Sequence, residues 1–144
     1  MNLKLFRTLE PGRALLGALM LGVGILHFTH AALFAAIVPD YLPAHLLLVY
    51  VSGVAELALG VSLWFARTRV WAAWGLMALY VAVFPANLNM ALHPDLPLPG
   101  VAQPPSPLAL WLRLPLQLVL LYWAYRYTRT KRPAGLRPQP PSYG

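Results

Sequence analysis

The sequence contains no cysteine. That excludes a disulfide, a thiolate nucleophile, a cysteine-ligated cluster and CxxC exchange chemistry within this chain. Charge is scarce as well. Only 10% of the 144 residues are Asp, Glu, Lys or Arg, and just four are acidic: Glu10, Asp40, Glu56 and Asp95. Soluble-type active sites have little to draw on. There is no GxSxG, no glycine-rich phosphate loop and no metal-spaced carboxylate pair.

What is abundant is apolar surface. Hydrophobic residues make up 59% of the chain, and mean hydropathy is +0.60. A small soluble globule cannot hide that much, because its surface-to-volume ratio is too high. The excess falls in four long runs, over about residues 14–38, 44–66, 70–92 and 108–127. Each is long enough at ~1.5 Å per residue to cross a ~30 Å hydrocarbon layer. The expected fold is all-α, a bundle of four transmembrane helices over residues 14–127. A basic segment, 1–13, precedes it, and a basic, Pro-rich and disordered tail, 128–144, follows. A cleaved signal peptide is the rival reading of the first run. The run is too long for that, and His27 and His30 interrupt it.

The net charge of +7 invites a nucleic-acid reading, but its distribution argues against one. Lys4, Arg7 and Arg13 precede the first run, Arg67 and Arg69 separate the second from the third, and Arg126, Arg129, Lys131, Arg132 and Arg137 follow the fourth. The other two loops carry Asp40 and Asp95 and no Lys or Arg. This is the positive-inside pattern, with both termini cytoplasmic. The expected location is the bacterial cytoplasmic (inner) membrane, multi-pass, with the lipid bilayer as first partner and anionic headgroups within reach of the basic tail.

One residue breaks the apolar pattern. In VYVSGVAELALGVSLWF, Glu56 stands mid-run. Helical periodicity puts it on one face with Ser52, Gly53 and Gly60, small residues that let membrane helices approach closely, and puts Leu47, Val54 and Leu57 toward lipid. A carboxylate at the bilayer centre costs about 2.5–3.5 kcal/mol on insertion scales, so it must be protonated, paired or wet. Arg113, the only Lys or Arg away from the ends of a run, is the candidate partner in one buried network; the two depths differ by roughly 10 Å, a gap that long side chains or a bridging His, Asn or water could close in part. Gln117 lies one turn further along the Arg113 face. His27 shares a face with Gly24 and Ala31, and Asn87 and Asn89 follow Pro85 in VFPANLNM. Pro85 and Pro115 each remove a helical donor and free a carbonyl, near Val81 and Trp111 respectively. His27, Glu56, Asn87, Arg113 and Gln117 thus come from four different runs and form the candidate ligand pocket. His30, Ser52, Asn89 and Trp111 are secondary candidates.

The stretches GVGILHF, IVPDYLP, VYVSGVAELALG, RTR, VFPANLNMAL and RLPLQ, in this order, resemble the DoxX family of small bacterial and archaeal membrane proteins. The resemblance spans about residues 22–123 and implies a four-helix transmembrane bundle. Its signature positions here are His27, Pro39, Pro43, Ser52, Gly53, Glu56, Pro85, Asn87, Arg113, Pro115 and Gln117. It also implies a redox association, since the family is named for a subunit found with a terminal quinol oxidase and a thiosulfate:quinone oxidoreductase. It assigns no catalytic residue.

The leading expectation is therefore a redox-associated membrane protein that holds a quinone-like ligand. Arg113, Gln117 and Asn87 would donate to carbonyl oxygens, and His27 and Glu56 would relay protons. A non-catalytic scaffold for an envelope redox complex is the alternative, with homo-oligomerisation compatible with either reading. A transporter or proton pathway fits less well, for want of an inverted repeat. Haem is disfavoured, because His27 and His30 sit three residues apart on one helix and cannot be opposite axial ligands. No metal site is expected. Asp40, His45, His93 and Asp95 have suitable chemistry but no recognised spacing. The tryptophans and tyrosines near the run ends read as interfacial anchors.

Overall fold

The computed structural model describes residues 9–129. The disordered tail expected from 128 onward lies outside them except for Thr128 and Arg129, as do the first eight residues of the basic N-terminal segment. Five helices occur in the order α1 (Pro11–Thr29), α2 (Ala31–Ala36), α3 (His45–Trp64), α4 (Arg69–Leu92) and α5 (Pro107–Tyr125). Four of them, α1, α3, α4 and α5, are long and apolar enough to cross a membrane. The protein is an all-helical, multi-pass membrane protein.

Local chemistry accounts for the helix ends. Pro11 and Pro107 begin α1 and α5, where a missing N–H is harmless. The Ser106 hydroxyl caps α5 by accepting from the Ala109 N–H at 3.3 Å. The first run, expected as one helix to residue 38, instead breaks at His30, which has φ −126° and ψ 36°. The Thr29 hydroxyl lies 2.8 Å from His30 Nδ1 and also reaches the Ile25 carbonyl at 3.4 Å. Side-chain bonds of this kind compete with the helical ladder. The short α2 then folds back against α3.

The spanning helices alternate in direction, so both described chain ends lie at the same end of the bundle. Arg13, Arg67, Arg69, Arg126 and Arg129 belong to that end, called the basic end below. There Leu16, Met20, Leu63, Leu76, Tyr80 and Ala124 form a close-packed cluster. A smaller cluster of Ile37, Met90, Ala91 and Leu110 closes the opposite, loop end. Burial falls from 33% of the most apolar stretch of α1 to 17% of that of α5, which makes α5 the most peripheral span.

The tightest contact joins α1 to α3. A Cβ placed on Gly60 would stand 2.9 Å from the Gly17 carbonyl oxygen, and one on Gly24 would stand 3.1 Å from the Gly53 carbonyl oxygen. Two glycines one heptad apart on each helix therefore let the backbones touch. Leu57, expected toward lipid, packs over Gly24 instead. Leu47 and Val54 are exposed as expected. The Trp64 indole N–H donates to the Ala14 carbonyl at 3.2 Å and ties this pair at the basic end.

Candidate functional site

Between the two packed clusters the bundle is hollow. A cavity of about 610 Å³ is bounded by α1, α3, α4, α5 and the α2 segment. Its walls are mostly apolar, and its polar members are His27, Ser52, Glu56, Tyr80, Asn87, Arg113 and Gln117. All five main pocket candidates thus meet at one space, together with Ser52. His30, Asn89 and Trp111 do not line it. His30 sits at the helix break beside Thr29. The Asn89 amide donates to the Ile37 carbonyl at 3.1 Å and fastens the end of α2. Trp111 is half-exposed on the outer face of α5.

Glu56 is buried, and its neighbour is His27, with 3.0 Å between Glu56 Oε2 and His27 Nδ1. The glycine contact explains the pairing. Gly53 leaves room for His27, whose Cβ would lie 2.8 Å from a Cβ added there, and because each side chain leans toward its own helix's N-terminus, His27 and Glu56 lean toward each other across the antiparallel interface. The expected ion pair with Arg113 is absent among the described residues. Arg113 lies nearer the loop end and directs Nη1 at the thioether of Met90, 3.4 Å away. A thioether is a weak acceptor.

The His27–Glu56 geometry is incomplete as a hydrogen bond. His27 Nδ1 also lies 2.9 Å from the Val23 carbonyl. A carbonyl only accepts, so Nδ1 carries a hydrogen and points it at Val23. The carboxylate is therefore within ion-pair distance but off the N–H axis, and Oε2 is buried without a hydrogen-bond donor. His27 Nε2 has no partner among the described residues. The imidazole stacks on Phe34 of α2, with ring centroids 4.1 Å apart and planes 17° from parallel. Phe34 therefore holds the ring in place from the loop side.

Across the cavity, α4 and α5 are joined by amides. Gln117 Nε2 donates to the Tyr80 carbonyl. That acceptor forces the amide's orientation, which turns Gln117 Oε1 to the Asn87 amide, 2.9 Å away. The carbonyl used is one residue before the Val81 carbonyl that Pro85 leaves without its helical donor. Asn87 and Gln117 each use one N–H inside the protein, so they offer a ligand less than the sequence led one to expect.

Two cavity residues were not anticipated. Tyr80 lies mid-span, unlike the other tyrosines and the tryptophans, and donates its hydroxyl to Met20 Sδ at 3.1 Å. A lone tyrosine far from either end of an apolar run was the available signal. Phe34 became relevant only because the helix breaks at His30. Outside the cavity, Arg13 is buried to 1% exposure at the basic end, deeper than a residue that only sets topology would need to be. Among the described residues, no group of three or more His, Asp or Glu is placed to hold a metal ion. His93, one of the loop residues of suitable type, directs Nδ1 to the Asn89 carbonyl at 3.0 Å.

No curated protein and no solved structure matches this chain. A family model does, over residues 16–128, which takes in three spans whole, most of α1 and every residue of the cavity. The chain belongs to the family described as domain of unknown function DUF8561.

Proposed function

We propose that the protein is a DoxX-like component of a bacterial cytoplasmic membrane, and that its cavity binds a quinone-like amphiphile. The observation that carries this reading is the convergence of five polar side chains from four spans on one mostly apolar space. A cavity of ~300–1,000 Å³ with a few convergent polar groups is the usual form of a small-molecule site. Intramembrane ionisable residues are costly to insert and mark ligand or proton pathways. A structural cross-link would satisfy its own polar atoms. Here Asn87 and Gln117 are bonded within the protein, whereas Glu56 Oε2 and His27 Nε2 have no hydrogen-bond partner among the described residues, and the exposed Arg113 guanidinium meets only the Met90 thioether.

The wall residues Val51 and Leu116 are 57% and 56% exposed, so the cavity is not sealed inside the bundle. A membrane-soluble ring enters from the acyl-chain layer without crossing water. Its two oxygens then lie toward two poles, Arg113 on one side and His27–Glu56 on the other. Arg113 supplies donors, and the acid–imidazole pair exchanges protons with the head. The basic end faces the cytoplasm, as the arginine distribution supports.

The test is direct identification. The full chain is purified in mild detergent and extracted with solvent, and small molecules are identified by mass spectrometry beside the Glu56→Gln/Arg113→Leu double variant. A stoichiometric quinone-class molecule present in the wild type and lost in the variant is expected. Bulk lipid alone in both samples refutes the binding reading and favours the scaffold alternative.

A further inference from the structure

The two poles of the cavity are chemically unlike, and the difference sets what kind of head fits. Arg113 has only hydrogens to offer. The His27–Glu56 pole is different in each proton arrangement open to it. His27 Nδ1 lies 2.9 Å from the Val23 carbonyl, which only accepts, so in this geometry its hydrogen is directed there. If the ring is neutral, Nε2 is an acceptor with no donor. If the ring is cationic, the balancing Glu56 carboxylate is the acceptor, and the protein supplies it no hydrogen-bond donor, with Oε2 buried and unpartnered. At least one lone pair at this pole therefore faces no hydrogen in either arrangement. Ser52 and Tyr80 are the remaining polar side chains near this pole; Ser52 makes no bond to the pair, and the Tyr80 hydroxyl spends its hydrogen on Met20 Sδ.

We infer that the cavity selects a head that brings its own donor, an O–H on an aromatic or aliphatic amphiphile, over a head of the same shape that only accepts. The hydroxyl donates to the His27–Glu56 pole. Another oxygen, or the ring face, meets Arg113. A cationic ammonium head would also satisfy the carboxylate, but it would share the cavity with the Arg113 charge, so a neutral hydroxyl is the better match. This inference rests on the cavity being a ligand site. For a quinone couple it means that the reduced, hydroxyl-bearing form binds more tightly than the oxidised form. A buried acceptor left without a donor is penalised, so the preference is on the order of tenfold or more.

The experiment uses the full chain in nanodiscs under anaerobic conditions and three probes of one shape: tetramethylhydroquinone, its dimethyl ether and tetramethylbenzoquinone. Affinities are measured by equilibrium dialysis. The hydroquinone is expected to bind about tenfold tighter than both the ether and the quinone, because only it carries O–H groups. In Glu56→Gln, whose amide brings a donor to the pole, the gap should narrow toward parity. If the quinone or the ether binds as tightly as the hydroquinone, the donor requirement is overturned while the cavity remains a binding site. If none of the three binds up to its solubility limit, the binding reading falls as well.

Discussion

The α1–α3 and α4–α5 pairs are held by different means. In the first, glycines bring the two backbones into contact, and Gly17, Gly24, Gly53 and Gly60 leave no room for a Cβ. In the second, each helix carries a proline, and the link is a chain of amides from Asn87 through Gln117 to the Tyr80 carbonyl. Backbone contact gives a rigid, close seam and places His27 against Glu56. Side-chain bridging holds α4 and α5 farther apart and contributes to the hollow between the packed ends. One pair fixes the position of the reactive groups, and the other makes space for what they act on.

The largest effect should come from splitting the acid–imidazole pair that forms at the glycine seam. Glu56→Leu alone leaves His27 buried among apolar neighbours, and His27→Phe alone leaves a buried carboxylate. Breaking a buried pair from one side costs about 3–5 kcal/mol. Either variant should therefore lower the thermal unfolding midpoint in detergent markedly. The double variant His27→Phe/Glu56→Leu should recover most of that loss, since it removes both polar groups and the orphaned Oε2 together. Recovery would mean that the pair is retained for something other than stability. A double variant as unstable as the singles would make the pair structural.

Next in size is the seam itself. In Gly60→Ala the added methyl meets the Gly17 carbonyl oxygen, which cannot swing aside as a side chain could. Overpacking of this kind costs about 1–3 kcal/mol. Because the seam also sets the His27–Glu56 distance, ligand affinity should fall with stability. Gly22→Ala is the matched control. It lies on the same helix with nothing within 4 Å of a new Cβ, and it should be neutral or slightly stabilising. Equal effects of the two substitutions would show that backbone contact between α1 and α3 is not what joins them.

The contrast between the two pairs also explains what could be read in the sequence. Hydropathy revealed the four spans, and the small residues around Glu56 gave its inward face. Both are properties of a single helix. Which helices are neighbours is not. Glu56 was expected to pair with Arg113 because opposite charge was the strongest cue and helix order around the bundle was unknown. The short-range partner, His27, is selected by the Gly24–Gly53 contact, a relation between two helices. The break at His30 was hidden for another reason. The surrounding residues remain apolar, and only a local bond between Thr29 and His30 interrupts the helix. The bond from Asn87 to Gln117 likewise depends on a carbonyl of α4, that of Tyr80, which no side-chain pattern announces.

On the amide-linked side, Gln117→Leu removes both bonds and strands the Asn87 amide beside the cavity. The Tyr80 carbonyl keeps its position in the α4 helix, so the loss should be modest, about 1 kcal/mol, near the net worth of an ordinary hydrogen bond. The separation of α4 and α5 should change more than the stability. A spin-label pair at exposed positions Val81 and Leu118 would read it by electron–electron distance measurement. A broadened or shifted distance in Gln117→Leu is expected. An unchanged, narrow distance would show that apolar packing, and not the amide chain, spaces this pair.

The smallest effect expected lies where the loop after α2 enters the glycine-joined pair. Ala44, the residue before α3, has φ 54° and ψ 51°, the only positive φ at a non-glycine position among the described residues. A left-handed conformation costs an L-residue with a Cβ about 1–2 kcal/mol, a cost glycine does not carry. Ala44→Gly should recover part of it and raise the thermal midpoint slightly. Some of the gain is offset by the greater freedom of glycine in the unfolded chain. The strain has a structural reason. Pro43 precedes it, and the turn must bring His45 directly into the first turn of α3 so that Glu56, eleven residues on, arrives three helical turns below the loop end. A stabilised Ala44→Gly protein with unchanged probe affinity would show that the turn only delivers the helix. Stabilisation with weakened binding would show that the strained turn also holds α2, and with it Phe34, against His27.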